Sequence, residues 1–253
     1  MKLHFLLSIL FSQFVFTQFS DAPKIHSHND YQQDKPFWEA YKNGASSIEV
    51  DIVMTGDTLF VSHHANEIIP GKTIEKLYLE PIKELNLVQS DSPRKLQLLI
   101  DIKSDAKPTL KKLMEVLIAY EVLAQNENIS FVISGNRPPV AEYIDYPNYI
   151  LFDYQSLSNI SDTAIWEKIA LISLPFYKYS DWDGKTALSN LEAKKISGVI
   201  AKAHAYGKPF RFWATPDTEL AWKTFSISGL DFINTDNPSG CSKYLDSIKK
   251  EHP

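Results

Sequence analysis

Gly44-Ala45-Ser46-Ser47-Ile48-Glu49-Val50-Asp51-Ile52-Val53 is the stretch on which the fold turns. Residues 46–53 form a short apolar run with two carboxylates set into it, Glu49 and Asp51. Ile and Val fall on both parities, so the run lacks the clean apolar–polar alternation of a half-exposed strand and fits one buried on both faces. Positions i and i+2 of a strand point the same way. Glu49 and Asp51 therefore share a side, and buried charges need a partner or a metal because unpaired burial is very costly. An internal ion pair and a metal site both meet that need.

Outward from this strand, seven more runs of the same kind follow a common plan: residues 24–28, 96–102, 129–134, 149–153, 169–174, 210–214 and 231–234. Helix-like segments separate most of them, at residues 36–42, 73–85, 107–123, 138–144, 188–206, 218–226 and 239–250. Leu110, Leu113, Met114 and Leu117 show the helical spacing within one of these. Repeated strand–helix units make a parallel sheet, and eight of them predict a closed (β/α)8 TIM barrel. The competing open, doubly wound sheet lacks support, because no glycine-rich phosphate loop follows the first strand. The 253-residue length suits one barrel domain over residues 21–253.

Residues 1–20 stand apart. Lys2 precedes a nearly unbroken apolar run at residues 5–16, the pattern of a signal peptide and too short for a comfortable bilayer span. This predicts a secreted or periplasmic protein with no stable membrane span. Cys241 is the lone cysteine, so no disulfide forms within the chain. A net charge of −5 argues against a general nucleic-acid binder, which carries a basic face.

Working residues of such a barrel sit at the C-terminal ends of its strands. The first strand ends in His26-Ser27-His28-Asn29-Asp30-Tyr31, with two histidines on one side. After the second come Leu59-Phe60-Val61-Ser62-His63-His64. The third ends in Asp101-Ile102-Lys103, an acid and a base sharing a side. The seventh reads Arg211-Phe212-Trp213, and the last ends Asn234-Thr235-Asp236-Asn237-Pro238. Each piece has an ordinary structural explanation, such as a helix cap for Asp236. Polar residues ending at least three successive strands on one face point together to a site.

In this order the motifs resemble the phosphatidylinositol-phospholipase-C-like phosphodiesterase superfamily, which includes glycerophosphodiester phosphodiesterases and sphingomyelinase D-type phospholipases. The altered-inheritance-of-mitochondria branch is the most similar. Its H-S-H-N-D-Y opening corresponds to residues 26–31, its G-A-x-x-I-E-x-D to residues 44–51, its D/E-x-K to residues 101–103 and its closing G-x-D-x-I-x-T-D-x-P to residues 229–238. The sequence departs from the wider pattern at His64, where many relatives have Asp. It also has no match to the glutamate of the P-E-N-T segment.

The resemblance implies a phosphoric diester hydrolase acting on a glycerophosphodiester or phospholipid-type substrate. Glu49, Asp51 and Asp101 would hold one divalent cation, Mg2+ or Ca2+ first among those suited to an all-oxygen site. His26 and His63 would form the acid–base pair, since imidazole titrates near neutrality. Lys103, Trp213, Asn29, His28 and Arg137 would bind substrate, with Asn29 orienting His26 and Trp213 walling the cleft.

Two rivals stand beside this reading. His-x-His on a first strand also suggests a zinc amidohydrolase. Such sites need later histidines, and after His64 only His204 and His252 remain, in a predicted helix and at the chain end. The other rival is a non-catalytic ligand-binding barrel descended from such enzymes.

Overall fold

The computed structural model describes residues 23–88 and 94–251. The predicted leader, residues 1–20, lies outside the described residues, as does His252. Nine strands form one sheet: β1 (Lys24–Ser27), β2 (Ser47–Thr55), β3 (Thr58–Val61), β4 (Leu96–Ile102), β5 (Ile129–Gly135), β6 (Ile150–Tyr154), β7 (Ile169–Pro175), β8 (Phe210–Trp213) and β9 (Phe232–Thr235). Eight are parallel in the order β1, β2, β4, β5, β6, β7, β8, β9, and β9 returns to pair with β1, closing the barrel. β3 is added outside this count as an antiparallel hairpin partner of β2. All eight expected strands form, and the chain is a (β/α)8 barrel.

Alternation along the strands sorts the side chains. In β2, Ile48, Val50 and Ile52 pack outward into the main core beneath the helices. Ser47, Glu49 and Asp51 take the opposite parity and point into the barrel. A small apolar plug of Leu99, Val132, Leu171 and Phe232 fills part of the interior. Polar residues of the same parity lie nearer the C-terminal mouth: Asp101, Ser134, Asp153, Ser173, Arg211 and Asn234. The barrel interior is therefore greasy toward one end and charged at the other.

The helices are α1 (Trp38–Lys42), α2 (Glu80–Val88), α3 (Ala106–Ile118), α4 (Glu121–Ala124), α5 (Thr163–Glu167), α6 (Asn190–Ala205), α7 (Glu219–Ile227) and α8 (Pro238–Glu251). Three expectations change in detail. The helix expected from residue 73 enters α2 through a π turn, Glu75–Leu79. The one expected at residues 138–144 is a 3-10 helix, Val140–Asp145, begun after two prolines. The segment 107–123 breaks at Ala119–Tyr120 into α3 and α4.

Candidate active site

β2 and β4 run in register so that Asp51 is the direct neighbour of Asp101. Glu49 sits one inward position below Asp51, and one oxygen of each of the three carboxylates lies within 4.8 Å of the others. Each acid is anchored by one side. Glu49 Oε2 accepts from Arg211 Nη1 at 2.8 Å and meets His26 Nε2 at 2.9 Å. Asp51 Oδ2 accepts from Tyr31 OH at 2.9 Å and from His63 Nδ1 at 2.5 Å, with Lys103 Nζ at 3.4 Å. Asp101 Oδ2 pairs with Lys103 Nζ at 3.1 Å.

The remaining oxygens test whether a cation fits. Asp51 Oδ1 and Asp101 Oδ1 are buried and have no hydrogen-bond partner. A buried polar atom without a partner is costly, and three carboxylates with inward-facing oxygens match a hard divalent cation. The donor set fits the expected metal.

Electrostatics agree. Burial works to raise the Glu49 pKa, but the Arg211 charge and the His26 hydrogen bond outweigh it and hold the carboxyl below its usual range. Burial lifts Asp101 to about 6, against the pull of Lys103 and with the push of Glu49 and Asp51. Crowded acids of this kind are stabilised by any cation placed among them.

The two histidines of the first strand have different fates. His26 is wholly buried inside β1, with Nδ1 2.7 Å from Ser47 Oγ and Nε2 held between Glu49 and the Arg211 guanidinium. Burial, then the Arg211 charge, lowers its pKa to about 3. It lines no part of the cleft. The expectation that His26 is the acid–base partner of His63 is corrected on this ground: its ring lacks access to substrate. His28, expected as a substrate contact, lines the cleft instead, 28% exposed. Its Nδ1 lies 2.7 Å from Asp236 Oδ1, leaving Nε2 3.8 Å from Glu49 Oε1. Burial opposes protonation of His28, but the Asp236 hydrogen bond and the Glu49 charge win and raise its pKa.

His63, Lys103, Asn29 and Trp213 line the same cleft, a cavity of roughly 470 Å3 that also includes Glu49, Asp101 and Arg211. Asn29 Oδ1 lies 3.4 Å from the Tyr31 hydroxyl, while the hydrogen bonds of the His26 ring go to Ser47, Glu49 and Arg211. Arg137 is turned aside: its Nη1 donates to the Asp153 carbonyl at 2.7 Å, and it lines a neighbouring groove with Pro138, Pro139 and Tyr143. Its expected place at the phosphate is corrected accordingly. His204 pairs with Asp231 at 2.7 Å and lies outside the cleft, so it offers no fourth ligand for a zinc reading.

Four candidates are given no functional role by the sequence reading. Arg211 bridges Glu49, His26 and Asn234 Oδ1. Asp153 is buried and accepts from Ser134 Oγ at 2.8 Å and Ser173 Oγ at 2.7 Å. Tyr31 holds Asp51, and Asp236 holds His28. For Arg211 and Asp153 the signal was available: each is a charge inside an apolar strand run, as Glu49 is.

The (β/α)8 fold is shared with solved phosphodiesterases. A solved glycerophosphodiester phosphodiesterase from Parabacteroides distasonis superposes with a TM-score of 0.61 at 17% identity, covering 90% of this chain and 99% of that one. An Oleispira antarctica phosphodiesterase, solved with the product sn-glycerol-3-phosphate, matches with a TM-score of 0.55 at 15% identity over 89% and 97%. At these identities the likeness is one of fold. Residues 16–92 match the AIM6-like phosphodiesterase domain. Altered inheritance of mitochondria protein 6 of Kluyveromyces lactis is 27% identical over 85% of this chain and 70% of its own length. Its Arthroderma benhamiae homolog is 26% identical over 87% and 83%. The resemblance carried by the motifs is thus met by whole-chain comparison.

The same relatives correct one expectation. Their names concern the inheritance of mitochondria, a process inside the cell, so the expectation of a secreted or periplasmic protein does not stand. Among the described residues no helix is long and apolar enough to cross a membrane.

Proposed function

We propose that this chain is a metal-dependent phosphoric diester hydrolase for a glycerophosphodiester or phospholipid-type substrate, with His28 and His63 as its acid–base pair. One observation carries the reading: two histidines face one cleft, each with a carboxylate on Nδ1, beside three clustered acids. A carboxylate only accepts, so each neutral ring carries its proton on Nδ1 and offers Nε2 to the cleft.

A divalent cation held by Glu49, Asp51 and Asp101, Mg2+ or Ca2+ by donor chemistry, would supply positive charge to a phosphate oxygen. Lys103, paired to both aspartates, adds charge on the same side and favours the monoanionic phosphodiester in the cleft. One histidine takes a proton from water as its oxygen bonds to phosphorus. The other gives a proton to the departing alcohol oxygen as the second P–O bond breaks, so the pair ends with its protons exchanged. Trp213 forms the wall on the alcohol side.

The test is turnover of glycerophosphocholine by His28→Ala and His63→Ala variants. Each is expected to lose roughly 100-fold or more in kcat, the usual worth of a positioned acid or base. Metal binding by calorimetry should persist. Full activity in both variants would remove the proposed pair.

A further inference from the structure

Asp30 belongs to neither the metal cluster nor the cleft lining, yet it is fully buried with three hydrogen bonds converging on its carboxylate. Oδ1 accepts from Ser27 Oγ at 3.0 Å. Oδ2 accepts from the Phe37 backbone N–H at 2.5 Å and from Tyr78 OH at 3.0 Å. These donors come from three places. Ser27 ends β1, Phe37 closes the connection that carries His28, Asn29 and Tyr31, and Tyr78 sits in the π turn that follows the His63 segment. One carboxylate therefore ties the loop that bears His28 to the π turn, whose approach at Lys72 is in turn hydrogen-bonded to Val61, two residues before His63.

The backbone around it needs such a tie. Asn29 and Phe37 both have positive φ, 45° and 65°, a conformation that non-glycine residues hold only when their surroundings impose it. The Phe37 ring is buried, stacked on Tyr41 and edge-on to Tyr78. Its N–H is thereby aimed at Asp30.

We infer that Asp30 is a positioning residue that fixes His28 relative to His63 through its bonds to Phe37 and Tyr78. The inference rests on the proposed roles of those two histidines. It acts through geometry alone, since Asp30 touches neither ring.

The experiment compares Tyr78→Phe, Asp30→Ala and Asp30→Asn in the full chain, using glycerophosphocholine turnover and the histidine ring signals in 1H–13C NMR spectra. Tyr78→Phe keeps the buried ring and removes one bond, so it reads the effect if Asp30→Ala fails to fold. Both should lower kcat roughly 10- to 100-fold, the scale of a misplaced catalytic group, with KM and Mg2+ affinity nearly unchanged. Asp30→Asn should recover most of the loss, because its carbonyl can still accept from Phe37 and Tyr78 while its amide donates to Ser27. His28 and His63 signals should shift in Tyr78→Phe while those of His204 stay. Unmoved His28 and His63 signals in a folded Tyr78→Phe protein would overturn the inference, as would a rise in KM and a loss of Mg2+ affinity in step with the fall in kcat. Absence of turnover in the unaltered protein would defeat the catalytic reading alone, and the ring signals would still decide the role of Asp30.

Discussion

A carboxylate that binds a metal through one oxygen is best oriented when the protein holds the other. Asp51 and Asp101 meet this condition because Tyr31, His63 and Lys103 all crowd onto the Oδ2 atoms, leaving both Oδ1 atoms without partners. Space beside Asp101 is kept by Gly135, whose φ is +66°. A Cβ there would overlap Asp101 Oδ1 and come within 2.6 Å of the Ile102 carbonyl. Gly135→Ala is therefore expected to push Asp101 out of line and weaken Mg2+ or Ca2+ binding roughly 10- to 100-fold, the usual cost of disturbing a ligand's support. Calorimetric titration of the variant checks this; an unchanged affinity would show that Asp101 is not a ligand. The contrast between His26 and His28 belongs to this scale too. Both were legible as a same-side pair, but depth was not. A strand residue is buried by what closes over it, here Arg211 from β8, two strands away around the barrel and 185 residues along the chain, and no local pattern reveals that neighbour.

Among the elements, β2 and β4 were the most readable, because charges inside apolar runs mark an inward parity. The same rule applied to β5 through β9 would have found Ser134, Asp153, Ser173, Arg211 and Asn234, which form the rest of the polar interior. The helices were readable in place but not in kind. α5 has only five residues and no helical period to detect. The α3–α4 break follows from backbone geometry at Ala119 and Tyr120, with no proline or glycine to announce it. α6 is the opposite case: Ser189 is its N-cap, with Oγ accepting from the Glu192 N–H at 3.3 Å and donating to Glu192 Oε2 at 2.6 Å. Ser189→Ala is expected to cost about 1 kcal/mol in urea-induced unfolding. A loss indistinguishable from zero would mean that packing alone sets the start of α6.

At the scale of the whole molecule, the barrel does one thing that no single element can. It brings an acid pair from β2, an acid and lysine from β4, a histidine past β1 and another past β3 to one mouth, while Arg211 from β8 neutralises the charge beneath them. Chain order predicted this convergence because strand ends of a parallel barrel share one face. It could not predict which side chains would reach the cleft, as His26 and Arg137 show. In the function proposed above, the clustered carboxylates serve phosphodiester cleavage. The most direct measurement is hydrolysis of bis(p-nitrophenyl) phosphate by the purified chain in EDTA, then with Mg2+, Ca2+ or Mn2+ restored. Nitrophenol release that EDTA abolishes and added metal recovers is the expected result. No release with any of the three metals, together with no metal binding by calorimetry, would contradict it and leave a ligand-binding barrel.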